Sequence, residues 1–387
     1  MSRALTKLPR LIRKLRWMPD AKGCEILAID NGIEHLKHCF PENAQYFHLP
    51  VRGEKIYINM YILTLLIYFL TKRKKSGLGL RGIYVAAVAK YISPRVIVTM
   101  IDNNNWDTNL SRSLGIPIVY TANGLRHPSH FWGKSFDCYF AMNTALIDPQ
   151  LSFNNSFKQF YPAGHIKVGL YYEKNRNHRF TSVKSNTPTL LWISQYRDSI
   201  YNSDKLIHKE QKQTELMGVR YLSKYASLQN CNQRIAIASG RKNMDKNAEL
   251  DYFNSVANDD IEFSQSSSDD WTSYDELTKS DLAIGMFSTL LFEGLSIDKR
   301  VLFLLPDNCK SLRQHISESI RLDLLAPLVC SKSDFNSFAE LCTEILSMSD
   351  DEYLALIADF KSEVACFDKT FLPQQQIKNK LLQIIGV

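Results

Sequence analysis

The stretch of the chain richest in potential chemistry is Lys279-Ser280-Asp281-Leu282-Ala283-Ile284-Gly285-Met286-Phe287-Ser288-Thr289-Leu290-Leu291-Phe292-Glu293-Gly294. It continues through Lys299-Arg300-Val301-Leu302-Phe303-Leu304-Leu305-Pro306. The pattern predicts a buried strand, a turn of small residues, a helix opening at Ser288 and a second buried strand. Ser and Thr are favoured where a helix begins. The first N–H groups of a helix and the positive end of its dipole attract anions. Glu293, five residues on, offers a carboxylate suited to a sugar diol or a ribose, as acidic residues are in dinucleotide sites. A diphosphate at the helix start with hydroxyls further along describes a nucleotide-sugar. An N-cap followed by a surface glutamate would give the same residues in any α/β protein, so the whole block carries the reading, not Ser288 alone.

Two upstream strand ends fit the same crevice. Ser194 and Gln195 follow Trp192-Ile193, and Arg241 and Lys242 follow Ala238-Ser239-Gly240. Small polar residues and cations after a strand are what a phosphate needs. The first half of the chain supplies three further polar strand ends: Asp30-Asn31-Gly32, Asp102-Asn103-Asn104-Asn105, and Asn123-Gly124-Leu125-Arg126-His127. Activating an acceptor hydroxyl requires a base, and the leaving phosphate requires electrostatic help. Asp102 and Asp30 are the candidate bases, since each follows an apolar strand where partial burial raises a carboxylate pKa. The alternative for either is an Asx-turn residue closing its strand. Asn123, Gly124, Arg126 and His127 are read as acceptor-binding. His165, ahead of an Ile-Lys-Val-Gly run read as a strand, is a weaker candidate.

Metal chemistry finds little support in the residues. His35, His38 and Cys39 form an H-x-x-H-C cluster with no fourth ligand nearby in sequence, whereas structural zinc wants four. No D-x-D triplet occurs, which favours leaving-group stabilisation without a bridging metal. No metal and no cofactor are assigned. Walker, H-E-x-x-H and G-x-S-x-G patterns are also absent, against P-loop, zincin and serine-hydrolase chemistry. Gly77, Gly79 and Gly82 spell G-x-G-x-x-G, but a helical run and a lysine cluster precede them where the dinucleotide fingerprint needs a strand. They are read as a flexible loop.

Short β-branched runs alternate with longer amphipathic ones, as in βαβ units with a parallel sheet. Strands are expected at 24–29, 95–101, 116–121, 136–140 and 166–168, then at 189–193, 234–238, 261–263, 282–286 and 301–305. Helices are expected at 57–71, 81–92 and 106–114, then at 204–228, 246–257, 271–279, 288–297, 334–348, 350–365 and 374–384. The polar residues 173–188 read as a linker. The expected organisation is a basic amphipathic arm (1–20), an acceptor-binding α/β domain (21–175) and a nucleotide-sugar-binding α/β domain (188–365). A C-terminal helix (366–387) would pack back on the first domain. The fold class is α/β, two tandem Rossmann-like domains facing a central cleft. Ligands of such sheets bind beyond the carboxyl ends of the strands.

With 387 residues, 45% hydrophobic and 22% charged, the chain is neither disordered nor fibrous. The formal charge of +7 is local. Arg3, Lys7, Arg10, Arg13, Lys14 and Arg16 lie in the first 16 residues, and Lys72, Arg73, Lys74 and Lys75 form a second cluster. Without these ten, 37 basic residues face 40 acidic ones. Local patches beside apolar residues point to a surface partner. Leu5, Leu8, Ile12 and Leu15 recur at helical spacing in the arm, followed by Trp17 and Met18, as in helices that lie on anionic membranes. Residues 56–70 are the longest apolar run, and at 15 residues it is too short to span a bilayer. Asn59 and Thr64 within it favour a core helix, with an interfacial helix anchored by residues 72–75 as the alternative. Eight cysteines without a C-x-x-C pair suggest free thiols in a reducing compartment. The arm lacks the apolar stretch of a secretion signal. The expected location is cytoplasmic, peripherally on the inner face of the plasma membrane.

The 279–306 block resembles the C-terminal nucleotide-binding half of GT-B glycosyltransferases and the non-hydrolysing nucleotide-sugar epimerases that share their architecture. By that resemblance Ser288 and Thr289 hold phosphate and Glu293 the ribose. The Asp102-Asn103-Asn104 and Asn123-Gly124-x-Arg126 elements resemble those of bacterial surface-carbohydrate biosynthesis proteins. The resemblance implies a glycosyltransferase moving a sugar from a nucleotide-sugar to a lipopolysaccharide, capsule or related glycan or glycolipid acceptor. Residues 1–18 and 72–75 would meet the anionic membrane surface. An epimerase on the same scaffold, or a non-catalytic membrane-surface or nucleic-acid-binding module, is the alternative. No nucleic-acid partner is expected, because the body of the chain is near neutral and no nucleic-acid-reading motif occurs.

Overall fold

The computed structural model describes residues 13–29, 32–51, 55–101, 109–122, 124–125, 134–148, 155–176, 187–237, 246–256, 261–265 and 271–386. Runs such as Ile26–Ile29 and Val96–Thr99 are apolar at every position and wholly buried. That is the signature of a parallel strand covered on both faces. Such strands build one sheet in each of two units. The first unit comprises Met1–Met142, Leu146–Leu170 and Asp368–Val387, and the second comprises Asn143–Ala145 and Tyr171–Phe367.

The first unit holds β1 (Leu15–Trp17), β2 (Ile26–Ile29), β3 (Tyr46–Leu49), β4 (Ile56–Ile58) and β5 (Val96–Thr99). It continues with β6 (Ile118–Thr121), β7 (Ser135–Phe136), β8 (Cys138–Ala141), β9 (Ser156–Phe157) and β10 (Phe160–Pro162). Among the described residues six of these form a parallel sheet in the order β10-β8-β6-β5-β2-β3, while β1 pairs with β4 and β7 with β9. The strand order reverses between β2 and β5, a topological switch point. Two helices cover this sheet in sequence, α1 (Met60–Thr71) and α2 (Leu80–Ile92). Helix α2 is buried nearly all round, from Gly82 to Ile92, and α1 packs over it. Helix α3 (Ile166–Lys174) follows β10. The C-terminal helix Pro373–Ile385 closes the other side, placing Ile377, Leu381 and Ile385 in one core with Ile26, Ala28, Val96 and Val98.

Several sequence expectations need correcting here. Residues 166–168 are the start of helix α3, not a strand. The basic arm's Leu15–Trp17 is a strand that lies parallel to Ile56–Ile58, and residues 1–12 lie outside the described residues. The 56–70 run is a strand followed by a helix, with Asn59 as N-cap accepting from the Ile62 N–H at 2.7 Å. Its helix is not a core helix, since only Ile62 and Phe69 are buried. The glycine triplet is a junction between helices and not an extended loop. Gly77 closes the turn Arg73–Ser76 in the left-handed region, and Gly82 is buried within α2. Of the expected linker, residues 177–186 lie outside the described residues, and the chain is still helical at Lys174.

The second unit carries β11 (Thr189–Ile193), β12 (Asn232–Ile237), β13 (Glu262–Gln265), β14 (Leu282–Gly285), β15 (Val301–Leu304) and β16 (Val329–Cys330). Between and after them run α4 (Leu206–Gln229), α5 (Lys246–Asn254), α6 (Thr272–Lys279), α7 (Thr289–Ser296), α8 (Lys310–Ser317), α9 (Phe335–Ser347) and α10 (Asp350–Val364). The sheet is parallel, in the order β13-β12-β11-β14-β15-β16. Counted within the unit this is 3-2-1-4-5-6, the order of dinucleotide-binding sheets. The switch point falls between β11 and β14, whose register sets Trp192 opposite Ile284. Close packing fixes this centre. A Cβ on Gly218 of α4 would fall on the Trp192 ring and near Leu304. Lys299 and Arg300, just before β15, are buried anchors. Arg300 donates to the carbonyls of Ile345 and Met348 at the end of α9 and pairs with Asp350 at 3.1 Å. A cation there suits the negative end of a helix.

Candidate functional site

Two adjacent strands of the second unit, β11 and β14, deliver their carboxyl ends side by side at the switch point. After β14 the chain turns at Met286-Phe287 and Ser288 caps α7. Its backbone is extended (φ −86°, ψ 138°), and its hydroxyl oxygen accepts from the Leu290 N–H at 3.3 Å. Ser288 and Thr289 are half-buried at the opening of the helix. The first N–H groups of any helix lack an intrahelical acceptor, so this opening is a receptive place for a phosphate. Gly285 makes the close approach possible, because a Cβ there would sit 3.3 Å from the Ile193 carbonyl oxygen and 3.2 Å from Leu291. Glu293 lies beyond the first turn of α7 and is only 6% exposed. It is more enclosed than the sequence suggests for a residue that meets a ribose.

The turn after β11 is tied down by two buried carboxyl groups from different helices. The Ser194 hydroxyl donates to Glu249 Oε1 of α5 at 2.6 Å and accepts from the Tyr196 N–H at 3.1 Å. The Gln195 N–H donates to Glu215 Oε1 of α4 at 2.8 Å, and the Trp192 indole N–H reaches the same oxygen at 3.4 Å. Glu215 and Glu249 are both completely buried. Burial pushes the Glu215 carboxyl up to about 8, against the hydrogen bonds from Gln195 and Trp192, and the charge of Glu249 adds to the rise. Tyr196, Tyr201 and Tyr252 pack around the turn with ring centroids 4.6 to 5.2 Å apart. The Ser194 hydroxyl is thus engaged inside the protein, while Gln195 is half-buried and Arg197 is exposed. Sequence reasoning missed Glu215 and Glu249. A glutamate inside an amphipathic helical run reads as a solvent-facing residue, and nothing local marks these two.

The remaining candidates are placed as follows. Asp30, Asp102, Asn123, Arg126, His127, Arg241 and Lys242 lie outside the described residues. Strands β2 and β5, which immediately precede Asp30 and Asp102 in sequence, border the first unit's switch point. Gly124 follows β6 at φ +138°, a backbone angle that glycine alone adopts readily. His165 is buried at the start of α3. All eight cysteines are free thiols. Among the described residues no group of three or more His, Cys, Asp or Glu is placed to hold a metal ion. A surface hollow lined by Arg220, Ser223, Lys224 and Val256 lies along the last turns of α4, away from the carboxyl edge, and takes no part in the site.

These features define the class: two tandem Rossmann-like α/β domains of a GT-B-like architecture, with a helix N-cap and a stapled turn at the second sheet's switch point. Residues 122–368 match a family model described as "putative O-antigen biosynthesis protein". The chain belongs to that family. No curated protein matches it. Among solved structures it is similar to the UDP-GlcNAc 2-epimerase from Methanocaldococcus jannaschii. That match has a TM-score of 0.51 and 13% identity, and covers 98% of this chain and 96% of that one. It is also similar to the wall teichoic acid polymerase TagF, with a TM-score of 0.51, 9% identity and coverage of 100% and 98%.

Proposed function

We propose that the protein is a nucleotide-sugar-using enzyme of bacterial O-antigen assembly. The observation that carries this is the coincidence, at the 3-2-1-4-5-6 switch point, of the Ser288 cap and the Ser194–Gln195 turn held by Glu215 and Glu249. Ser288, Thr289 and the α7 N-terminus take the diphosphate. Gln195, with Arg241 and Lys242, completes its surroundings, and Glu293 meets the ribose. No metal bridge is invoked, since the chain has no D-x-D triplet.

Two reactions fit this donor site. Epimerisation of the nucleotide-sugar itself is favoured by the shared fold with the UDP-GlcNAc 2-epimerase. Transfer to a glycan or glycolipid acceptor is favoured by the basic segments in 1–18 and 72–75, which an enzyme acting only on free nucleotide-sugars does not need. In the transfer reading Asp102 or Asp30 is the base on the acceptor hydroxyl. Asn123, Gly124, Arg126 and His127 hold the acceptor, and the protein works on the cytoplasmic face of the plasma membrane.

A thermal-shift panel of CMP, CDP, UDP and GDP tests the donor site, because a ligand that binds only the native state raises the melting temperature. One nucleotide is expected to stabilise the wild type, with about tenfold weaker binding in Ser288→Ala and Glu293→Ala. Absence of any shift, or equal shifts in both variants, removes the proposal. Incubation with nucleotide-sugars then separates the reactions. A second nucleotide-sugar formed without acceptor indicates epimerisation, whereas release of nucleotide only with acceptor indicates transfer.

A further inference from the structure

Helix α1 presents an exposed apolar face. Met60, Leu63, Ile67 and Leu70 follow one another at helical spacing on the side away from Ile62 and Phe69, and they are 71%, 39%, 65% and 46% exposed. A helix that is apolar all round is ordinarily buried, and contiguous exposed apolar surface marks an interaction site. The polar atoms on this face are turned inward. The Thr64 hydroxyl donates to the Met60 carbonyl at 2.9 Å, and the Thr71 hydroxyl donates to the Tyr68 carbonyl at 2.8 Å.

The surroundings name the occupant. From Lys55 to Ile101 the chain has no Asp or Glu, yet holds eight cations, among them Lys72, Arg73, Arg81 and Lys90. At the end of α1 the Lys72 ammonium reaches the Tyr68 hydroxyl at 2.7 Å. Beside the start of α1, β1 pairs in register with β4, so Trp17 lies opposite Ile58 and is 70% exposed. Trp17 is also the point at which the basic arm joins the fold. An exposed apolar helix face with Lys72 at its end and Trp17 beside its start, in a stretch of sequence that carries cations and no acids, matches the boundary of an anionic bilayer. At 12 residues the helix is about 18 Å long, so it lies in the membrane plane.

We propose that the outer face of α1, together with Trp17, inserts into the headgroup–acyl boundary of an anionic membrane. This deepens the membrane-facing part of the proposed function and rests on it. There, residues 1–18 and 72–75 attract the protein to the surface, and here α1 supplies an apolar anchor.

The test uses the full chain and phosphatidylcholine vesicles containing about one-third phosphatidylglycerol. Expected results are binding that partly survives about 0.5 M salt, and quenching of tryptophan emission by lipids brominated near the headgroup, lost in Trp17→Phe. Ile67→Glu/Leu70→Glu should bind about tenfold or more weakly, while Ile67→Leu binds as the wild type does. Both positions are exposed, so the double variant should keep its melting temperature and its response to nucleotide. Equal vesicle binding by the double variant, or no quenching, overturns the inference. If binding is then salt-sensitive and lost in Lys72→Gln/Arg73→Gln, the electrostatic reading survives alone. A dimer that the double variant dissolves, with no lipid binding by either protein, overturns it in favour of a second copy. No binding to vesicles even at low salt overturns the inference and the membrane-facing reading together.

Discussion

At the scale of single residues, the carboxyl group of Glu215 is the unusual one. Its ordinary value of 4.5 is pushed up to about 8 by burial, so the folded protein keeps a proton that the unfolded chain gives up. Its contribution to stability is fully present below about 4.5 and is lost as the pH rises through about 8. Urea midpoints of the wild type should therefore fall between about pH 5.5 and pH 8.5. Glu215→Gln, neutral and of similar shape, should fall distinctly less over the same interval. A parallel fall in both proteins would show that the group is not protonated in the folded state. A reader of the sequence finds Ser288 because helix caps are written locally, in a hydroxyl ahead of an apolar run. Glu215 and Glu249 are invisible by the same logic. Each meets the β11 turn only after α4 and α5 have folded back across the sheet, 20 and 55 residues from the atoms they hold.

At the scale of elements, the inner strands of both sheets are legible because fully buried parallel strands are short, apolar and β-branched, whereas the edge strands β3, β10 and β16 escape the sequence reading. Misreadings occur where a short apolar run has more than one use. Ile-Lys-Val-Gly at 166–169 has strand composition, yet it is helical, and the start of the C-terminal helix packs onto it. A Cβ on Gly169 would meet Gln374 and Pro373. The run at 56–70 was legible as apolar but not as exposed, because hydrophobic pattern reports what a surface prefers and not which partner supplies it. The same close packing gives a direct prediction at Gly218. An alanine there gains helix propensity worth about 1 kcal/mol, but its methyl group collides with the Trp192 ring beneath β11. Overpacking of a dense core costs about 1–3 kcal/mol, so Gly218→Ala should lower the urea midpoint, and nucleotide binding should weaken as the Ser194–Gln195 turn shifts. A variant at least as stable as the wild type would mean that α4 moves aside freely.

At the scale of the whole molecule, the two units are unlike in how the chain assembles them. The second is nearly continuous, while the first needs residues from both ends of the chain. Its sheet has Ile26, Ala28, Val96 and Val98 facing the C-terminal helix, which adds Ile377, Leu381 and Ile385 to their core. Arg95 donates to the Ile385 carbonyl, and Lys378 pairs with Glu42 at 3.0 Å. The expectation places the last segment as a helix on the first domain, but its apolar stripe would suit either sheet, and only the tertiary contacts show which side chains it meets. Burying three aliphatic side chains is worth roughly 5–9 kcal/mol against a fully extended chain, less against a compact one, a large share of the stability of one domain. Deleting residues 368–387 should therefore loosen the first unit selectively. Hydrogen exchange should lose protection in β2 and β5 and keep it in β11 and β14, with nucleotide binding retained by the second unit. Unchanged exchange in β2 and β5 would show that the helix is a dispensable cover, and loss of protection in both sheets would show that the units stand or fall as one cooperative body.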